Sequence, residues 1–143
     1  MFIKQLSVFI ENKKGALAEF ARILGENNID ILAVTIADTT EFGILRAIVS
    51  DSEKAKESLE QAFYAVNITD VVAVTIADVP GGLVEVLDTL AKKDVDVEYL
   101  YSFVRHIGEM AVVILRVNKP KEAVELLNEN GIRIVTQEEI ATM

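Results

Sequence analysis

The chain has 143 residues, of which 51% are hydrophobic and 26% are charged, and its net charge is −9. It is too apolar to be disordered and too acidic to follow nucleic acid by neutralising phosphates. It contains no Cys and one His. This composition excludes disulfides, Cys-bound metals and thiol catalysis, and it leaves little for His-based metal sites or catalytic triads. No cofactor is expected.

Membrane and targeting segments are also not expected. The longest apolar run, Met110–Leu115, is about a third of the length that a membrane span needs. The N-terminal segment Met1–Glu11 has neither a basic region nor a small-residue cleavage site. We therefore expect a soluble, cytoplasmic protein without a membrane partner.

Hydrophobic periodicity in the first half predicts strand, helix, strand, strand, helix and strand. The predicted ranges, in that order, are Phe2–Ile10, Gly15–Asn27, Ile29–Ala37, Phe42–Val49, a helix opened by a capping box from Ser50 to Glu53, and Ala65–Ile68, with a turn at Asp38–Glu41. The first helix carries an apolar stripe at i, i+3, i+4 and i+7, formed by Leu17, Phe20, Ala21 and Leu24. The second helix is expected to bury Ala55, Leu59, Ala62 and Phe63.

The second half repeats the same order. Its predicted elements are Val71–Ala77, Gly82–Lys93, Val95–Phe103, Met110–Val117, Pro120–Asn130 and Ile132–Val135. Pro120 suits a first helical turn, and Gly131 suits the position after a helix end. The tail Thr136–Met143 is expected to form a short helical turn or nothing.

The two halves align as a repeat. The first loops and helices correspond at an offset of 66 residues and the second helices at an offset of 68. This order is that of the ferredoxin-like βαββαβ unit. The sequence therefore predicts an α+β protein of two tandem units, residues 1–68 and 69–143, with only Thr69–Asp70 between their strands.

The loop between the first strand and the first helix carries the candidate chemistry. Both copies have a polar residue, two further residues, Gly, any residue and Leu, and an Asp follows 18 residues after the polar one. The N–H groups of a first helical turn suit a carboxylate, and an Asp carboxylate suits an ammonium group. The pattern favours a clamp for a free amino acid. Its candidate ligand-binding residues are Asn12, Lys14, Gly15, Ala16, Asp30, Ile31, Asp78, Pro80, Gly81, Gly82, Asp96 and Val97.

At these residues the chain resembles a tandem ACT-domain protein. The typical family loop is Asn or Asp, any residue, Pro, Gly, any residue and Leu. The second repeat matches it fully, whereas the first has Lys14 where Pro is usual. The resemblance implies a ferredoxin-like regulatory module that binds an amino acid through residues such as Asn12 and Asp30, controls an enzyme of amino-acid metabolism and dimerises. Some members have a His two residues before the loop Asn, but Ile10 and Ile76 stand there in this chain.

Purely structural explanations stay open for the same residues. The loop glycines suit a tight turn, Asn12 and Asp78 suit helix caps, and the two later Asp residues suit loop ends. Leu17 and Leu83 are expected in the core, His106 in an exposed turn, and Tyr99, Tyr101 and Phe103 in a core or a subunit interface. The alternative functions are a ligand-free interaction module or regulatory subunit and, with less support, a small enzyme.

The strand edges predict assembly. Ile29–Ala37 and Val95–Phe103 are apolar edge strands without Pro or Lys. We expect them to pair with each other in an eight-stranded sheet. The usual arrangement of the family that the chain resembles would also bring both loop sites, with Asp30 and Asp96, towards the seam between the repeats. The remaining sheet face is expected to pack on a second copy in a homodimer. The predicted function is therefore a non-catalytic sensor of a free amino acid, without catalytic or metal-binding residues.

Overall fold

The computed structural model describes residues 2–38 and 41–143. The chain forms two compact units. We call Lys4–Thr69 the N-terminal unit, and we call Asp70–Met143, together with the N-terminal residues up to Ile3, the C-terminal unit. Of the predicted turn at Asp38–Glu41, Thr39 and Thr40 lie outside the described residues.

The N-terminal unit has two helices against one sheet face. Its elements are β1 (Ile3–Glu11), α1 (Ala16–Glu26), β2 (Ile31–Asp38), β3 (Phe42–Val49), α2 (Ser52–Gln61) and the beginning of β4 (Val66–Ala77). The strand order is β2-β3-β1-β4, and β3 is antiparallel to both β1 and β2. Phe20 and Leu24 of α1 and Leu59 of α2 are fully buried among the strand side chains. Burial of this apolar face holds the helices on the sheet.

The C-terminal unit repeats the arrangement. It contains the rest of β4, α3 (Val84–Ala91), β5 (Val97–Ser102), β6 (Met110–Val117), α4 (Pro120–Glu129) and the short α5 (Gln137–Ala141). Its strand order is β4-β6-β5. Leu90 of α3 and Leu127 of α4 are buried in the second core. The N-terminal Phe2 also packs against this core.

The sheet differs from the expectation in its strand number. The described strands form one six-stranded antiparallel sheet of order β2-β3-β1-β4-β6-β5. The expected eight strands are wrong because two predicted strands merge into β4, and because Ile132–Val135 forms only an isolated bridge from Ile134 to Val74. The expected pairing of β2 with β5 is also wrong, since β2 and β5 stand at opposite ends of the strand order.

Three side chains near the helix ends differ from the sequence prediction. The cap of α2 is Asp51, whose carboxylate accepts from the Lys54 N–H at 3.1 Å, so the predicted capping box at Ser50 is wrong. Leu17 is 47% exposed because α1 turns Ala16, Phe20 and Leu24 towards the sheet instead. Phe63 follows the end of α2 at a positive φ of 68° and is 97% exposed.

Candidate functional site

The first loop reverses the chain between β1 and α1. The Lys13 N–H donates to the carbonyl oxygen of Glu11 at 2.9 Å, and the Ala16 N–H donates to that of Lys13 at 3.2 Å. Gly15 has a φ of 86° and directly precedes the helix. A Cβ at Gly15 would find open space, so the backbone turn, and not crowding, explains the glycine.

The second loop has the same backbone geometry. The Val79 N–H donates to the carbonyl oxygen of Ala77 at 2.9 Å, the Gly82 N–H donates to that of Val79 at 2.9 Å, and Gly81 has a φ of 80°. The repeat seen in the sequence therefore extends to main-chain hydrogen bonds. Gly82 has an additional packing role, because a Cβ there would lie 2.0 Å from the Ala77 carbonyl oxygen.

Within the N-terminal unit, the structure does not bring Asp30 to the first loop. The loop follows the end of β1, where Glu11 pairs with Phe42, and the end of β2 lies there as well, since Asp38 pairs with Gly43. Asp30 precedes the start of β2, where Ile31 pairs with Val49. Seven residues of strand, about 23 Å, separate these two ends.

Asp30 is instead joined to the end of β3. Its N–H donates to the Ser50 hydroxyl at 2.9 Å, and the Ser50 N–H donates to the Asp30 carbonyl oxygen at 2.9 Å. Asp96 has the equivalent place in the C-terminal unit, where its N–H donates to the side-chain oxygen of Asn118 at 2.9 Å. Ile31 and Val97 begin their strands beside these residues. Neither unit therefore assembles the expected clamp from its own loop and its own Asp.

A small cavity of about 80 Å³ lies beside the first loop. Asn12 and Ala16 line it as candidates from the sequence, and Lys14 lies in the same loop. Leu17, Ile36 and Gly43 also line it and were missed by the sequence analysis. The Ile36 side chain lies close to the backbone of Gly43, since a Cβ added at Gly43 would be 3.1 Å from the Cγ2 of Ile36. Leu17 belongs to the repeated loop motif, but its helical spacing predicted a core residue.

In the second loop, the carboxylate of Asp78 is already engaged. Its Oδ2 lies 3.0 Å from the Nε2 of His106, and both side chains are exposed. His106 belongs to the connection between β5 and β6, in agreement with the predicted exposed turn. Pro80 lies in the loop next to Gly81 and is exposed. The contact with His106 therefore occupies one of the two Asp78 carboxylate oxygens that a ligand would otherwise use.

A larger cavity of about 330 Å³ lies between the end of β1, the start of α1 and the turn after α2 in the N-terminal unit. The Tyr64 hydroxyl donates to the Oε1 of Glu19 at 3.1 Å at its edge. The pKa of Tyr64 is raised above 10.0, first by burial, then by the hydrogen bond to Glu19 and by the negative charges of Glu19 and Glu11. These three causes all favour the neutral phenol.

Known proteins identify the fold. The family model described as "ACT domain pair" matches residues 1–143. The crystal structure of protein BT0572 from Bacteroides thetaiotaomicron is 40% identical with a TM-score of 0.92, over 100% of this chain and 98% of that chain. The regulatory subunits of aspartate kinase from Thermus thermophilus, in ligand-free form, and from Thermus flavus are each 16% identical, with TM-scores of 0.64 and 0.61. They cover 88% of this chain and 91% and 90% of their own chains, respectively. No curated protein matches.

These findings define a class of protein, a tandem pair of βαββαβ units. The chain belongs to the family of ACT domain pairs. ACT domains are typically regulatory and non-catalytic, and they often bind small-molecule effectors. Among the described residues, no helix is long and apolar enough to cross a membrane.

Proposed function

We propose that this protein is a non-catalytic regulator that binds a free amino acid, or a similar small carboxylate, at the first loop and thereby controls an enzyme of amino-acid metabolism. The observation that supports a ligand role for the loop is its repetition in backbone detail, with Gly15 and Gly81 at the same left-handed φ before a helix. The N–H groups and the dipole at that helix start suit a carboxylate. Regulation of this kind is typical of the family.

The cavity beside the first loop is proposed to be half of a site. Its volume of about 80 Å³ holds fewer than three water molecules at about 30 Å³ each. A free amino acid needs more room, so a second wall is required. The neighbouring β2 is an edge strand, and its Val34 and Ile36 are exposed. Neither Pro nor Lys protects this edge.

We place β2 of a second copy at this edge. A two-fold axis pairs identical strands antiparallel, so the start of β2 in the second copy comes to the end of β2 in the first. Asp30 of the second copy would thereby approach the first loop, which Asp30 of the same chain cannot reach. Its carboxylate would hold the ammonium group, the loop amides would hold the carboxylate, and Ile31 would supply apolar contact. The homodimer and the ligand site are thus one proposal.

The second repeat offers the equivalent residues Asp78, Pro80, Gly81, Gly82, Asp96 and Val97. We propose the first repeat as the primary site because the Asp78 carboxylate already contacts His106. The same contact, together with Ile10, Ile76 and Lys14 in place of the usual family residues, favours the second candidate function. That candidate is a constitutive interaction module or regulatory subunit without a ligand.

A thermal-shift screen against the twenty amino acids tests the proposal. A ligand at 100 times its dissociation constant stabilises the folded state by about 2.7 kcal/mol. For a protein of this size, that stabilisation raises the Tm by about 5–10 °C. A shift with one amino acid or a few related ones is expected. If none shifts the Tm while the protein is still a dimer by analytical ultracentrifugation, the interaction module is the better explanation.

Mixing two variants tests the shared site directly. All proteins in this test carry Asp96→Ala, so that only the first repeat is measured. Asn12→Ala and Asp30→Ala are each expected to lose binding. Their heterodimer contains one complete site, so an exchanged equimolar mixture should recover about a quarter of the reference stoichiometry in calorimetry. If the mixture does not recover binding, the two residues do not meet across a dimer.

A further inference from the structure

Each unit has a cavity between the start of its first helix and the turn after its second helix. The volumes are about 330 Å³ in the N-terminal unit and about 310 Å³ in the C-terminal unit. Both volumes fall at the lower end of the range for ligand pockets, about 300–1,000 Å³. The lining positions correspond in the repeat alignment, as Phe9 with Thr75, Phe42 with Met110, Phe63 with Gly131, and Tyr64 with Ile132.

The first cavity is aromatic and the second is not. Four of the described residues that line the first carry aromatic rings, whereas the described residues that line the second include none. Phe9 and Phe42 are each 52% exposed, and Phe63 is almost fully exposed. Burying a Phe side chain stabilises a fold by about 1.5–3 kcal/mol, and these rings forgo part of that gain. The packing of the unit therefore does not explain them.

Phe63 is also strained where the other repeat is relaxed. Its φ is 68°, and that of Gly131 at the corresponding position is 72°. A left-handed backbone is easy for Gly and unfavourable for a residue with a Cβ. The N-terminal unit thus keeps an exposed aromatic ring at a position where glycine would fold more easily. Such strain supports a functional explanation of the ring.

The electrostatic character of the first cavity is negative. Glu11 and Lys13 form an ion pair at 3.2 Å and largely cancel each other. Glu19 remains, with the Tyr64 hydroxyl as its hydrogen-bond donor at 3.1 Å. The pKa of Tyr64 is raised first by burial and then by Glu19 and Glu11, whose carboxylates lie close enough to the phenol to act on it.

We propose that the aromatic cavity of the N-terminal unit binds a small organic cation, an alkylammonium or a guanidinium, with the rings around it and Glu19 as its counter-ion. Ring faces attract cations, and a carboxylate adds charge complementarity. A carboxylate ligand would meet repulsion from Glu19 instead. This cavity shares Ile10, Glu11, Lys13 and Ala16 with the cavity of the proposed amino-acid site, but the turn after α2 forms a wall of this cavity alone.

The test uses choline, agmatine and cadaverine as probes, titrated by calorimetry and by NMR. None of them has a carboxylate, so none of them can make the contacts with the loop amides on which the amino-acid proposal rests. Neutral 1-pentanol is the control for apolar binding. At least one cation is expected to bind with a dissociation constant of about 10 mM or below and to shift the Phe63 ring signals. No binding by any cation, or equal binding by 1-pentanol, overturns the proposal.

Two variants and one matched control locate the site. Glu19→Gln keeps the acceptor oxygen for Tyr64 and removes the charge, and it is expected to weaken cation binding about tenfold. Phe63→Gly installs the residue of the other repeat and is expected to weaken binding about two- to fivefold. Glu85→Gln changes the corresponding residue of the second cavity and should leave binding unchanged. An equal loss with Glu85→Gln, or no loss with Glu19→Gln or with Phe63→Gly, overturns the assignment.

Discussion

Replacing Phe63 with glycine is expected to stabilise the protein. The φ of 68° costs a residue with a Cβ about 1–2 kcal/mol, and glycine removes this strain. The Phe63 ring is 97% exposed, so its removal loses little apolar burial. The greater freedom of glycine in the unfolded chain offsets about 0.4–1 kcal/mol of this gain. At the middle of these ranges the net gain is about 0.8 kcal/mol, or a rise of about 2–3 °C in the Tm.

Two control variants separate strain from the loss of the ring. Phe63→Ala removes the ring but keeps the Cβ and the strained φ, so we expect no comparable gain. Gly131→Ala introduces the same strain in the C-terminal unit, where φ is 72°, and should destabilise it by about 1 kcal/mol. The measurements are urea unfolding and calorimetry of the four proteins. If Phe63→Ala stabilises as much as Phe63→Gly, or if Phe63→Gly lowers the Tm, strain at Phe63 is not the dominant effect.

Two further predictions concern Tyr64 and the glycines. Because the pKa of folded Tyr64 lies above its usual 10.0, the folded protein holds the phenol proton to higher pH than the unfolded chain. The resulting stability is present below about pH 10 and is lost as the pH rises through the folded pKa, so Tyr64→Phe should reduce the fall in unfolding free energy between about pH 9 and 11. Gly82→Ala should destabilise by about 2 kcal/mol or more, since its Cβ would overlap the Ala77 carbonyl oxygen. Gly25→Ala, in open space within α1, should instead stabilise by about 0.5–1 kcal/mol; equal effects of the two in urea unfolding would contradict the packing argument.

The sequence predicts the kind of each major element well because hydrophobic periodicity is a local property. The bounds predicted for β3 and β6 agree with the structure at both ends. The apolar excess is divided between two helix-on-sheet cores, as the repeat implies. The strands predicted on either side of Thr69–Asp70 are one continuous strand in the structure, β4. This continuity was harder to predict, because the local pattern does not determine whether a strand breaks at these two polar residues.

Periodicity fails where the helix that carries it ends. The spacing of Phe63 from Leu59 suggests a shared buried face, but α2 ends at Gln61 and the chain reverses before Phe63. Leu17 fails for a different reason. Ala16 takes the inward position at the start of α1, and the small size of alanine makes Leu17 look like the better core candidate. In both cases a residue predicted to be buried is instead exposed and lines a cavity. Such sites are where function is expected to override local rules.

A single unit cannot form the expected clamp, and the reason already follows from the order of strands and helices along the sequence. In a strand–helix–strand crossover the two strands are parallel, so the residue after β1 and the residue before β2 always lie at opposite ends. Asn12 and Asp30 therefore could not meet within one unit, whatever the loop sequence. The sequence cannot supply the remaining step, since the proposed antiparallel second copy of β2 would be a property of the assembly.

The main-chain conformations of the two repeats are more alike than their surfaces. The positive φ angles recur at Gly15 and Gly81 and again at Phe63 and Gly131, because each is fixed by a local turn that both cores need. The side chains around the two cavities have no such constraint. Among the described residues, the three Phe side chains that are more than half exposed all lie in the N-terminal unit. Since the shared backbone accepts non-aromatic residues at the same positions in the C-terminal unit, folding does not demand those rings. Ligand experiments on this protein should therefore perturb one repeat at a time, with the corresponding residue of the other repeat as the control.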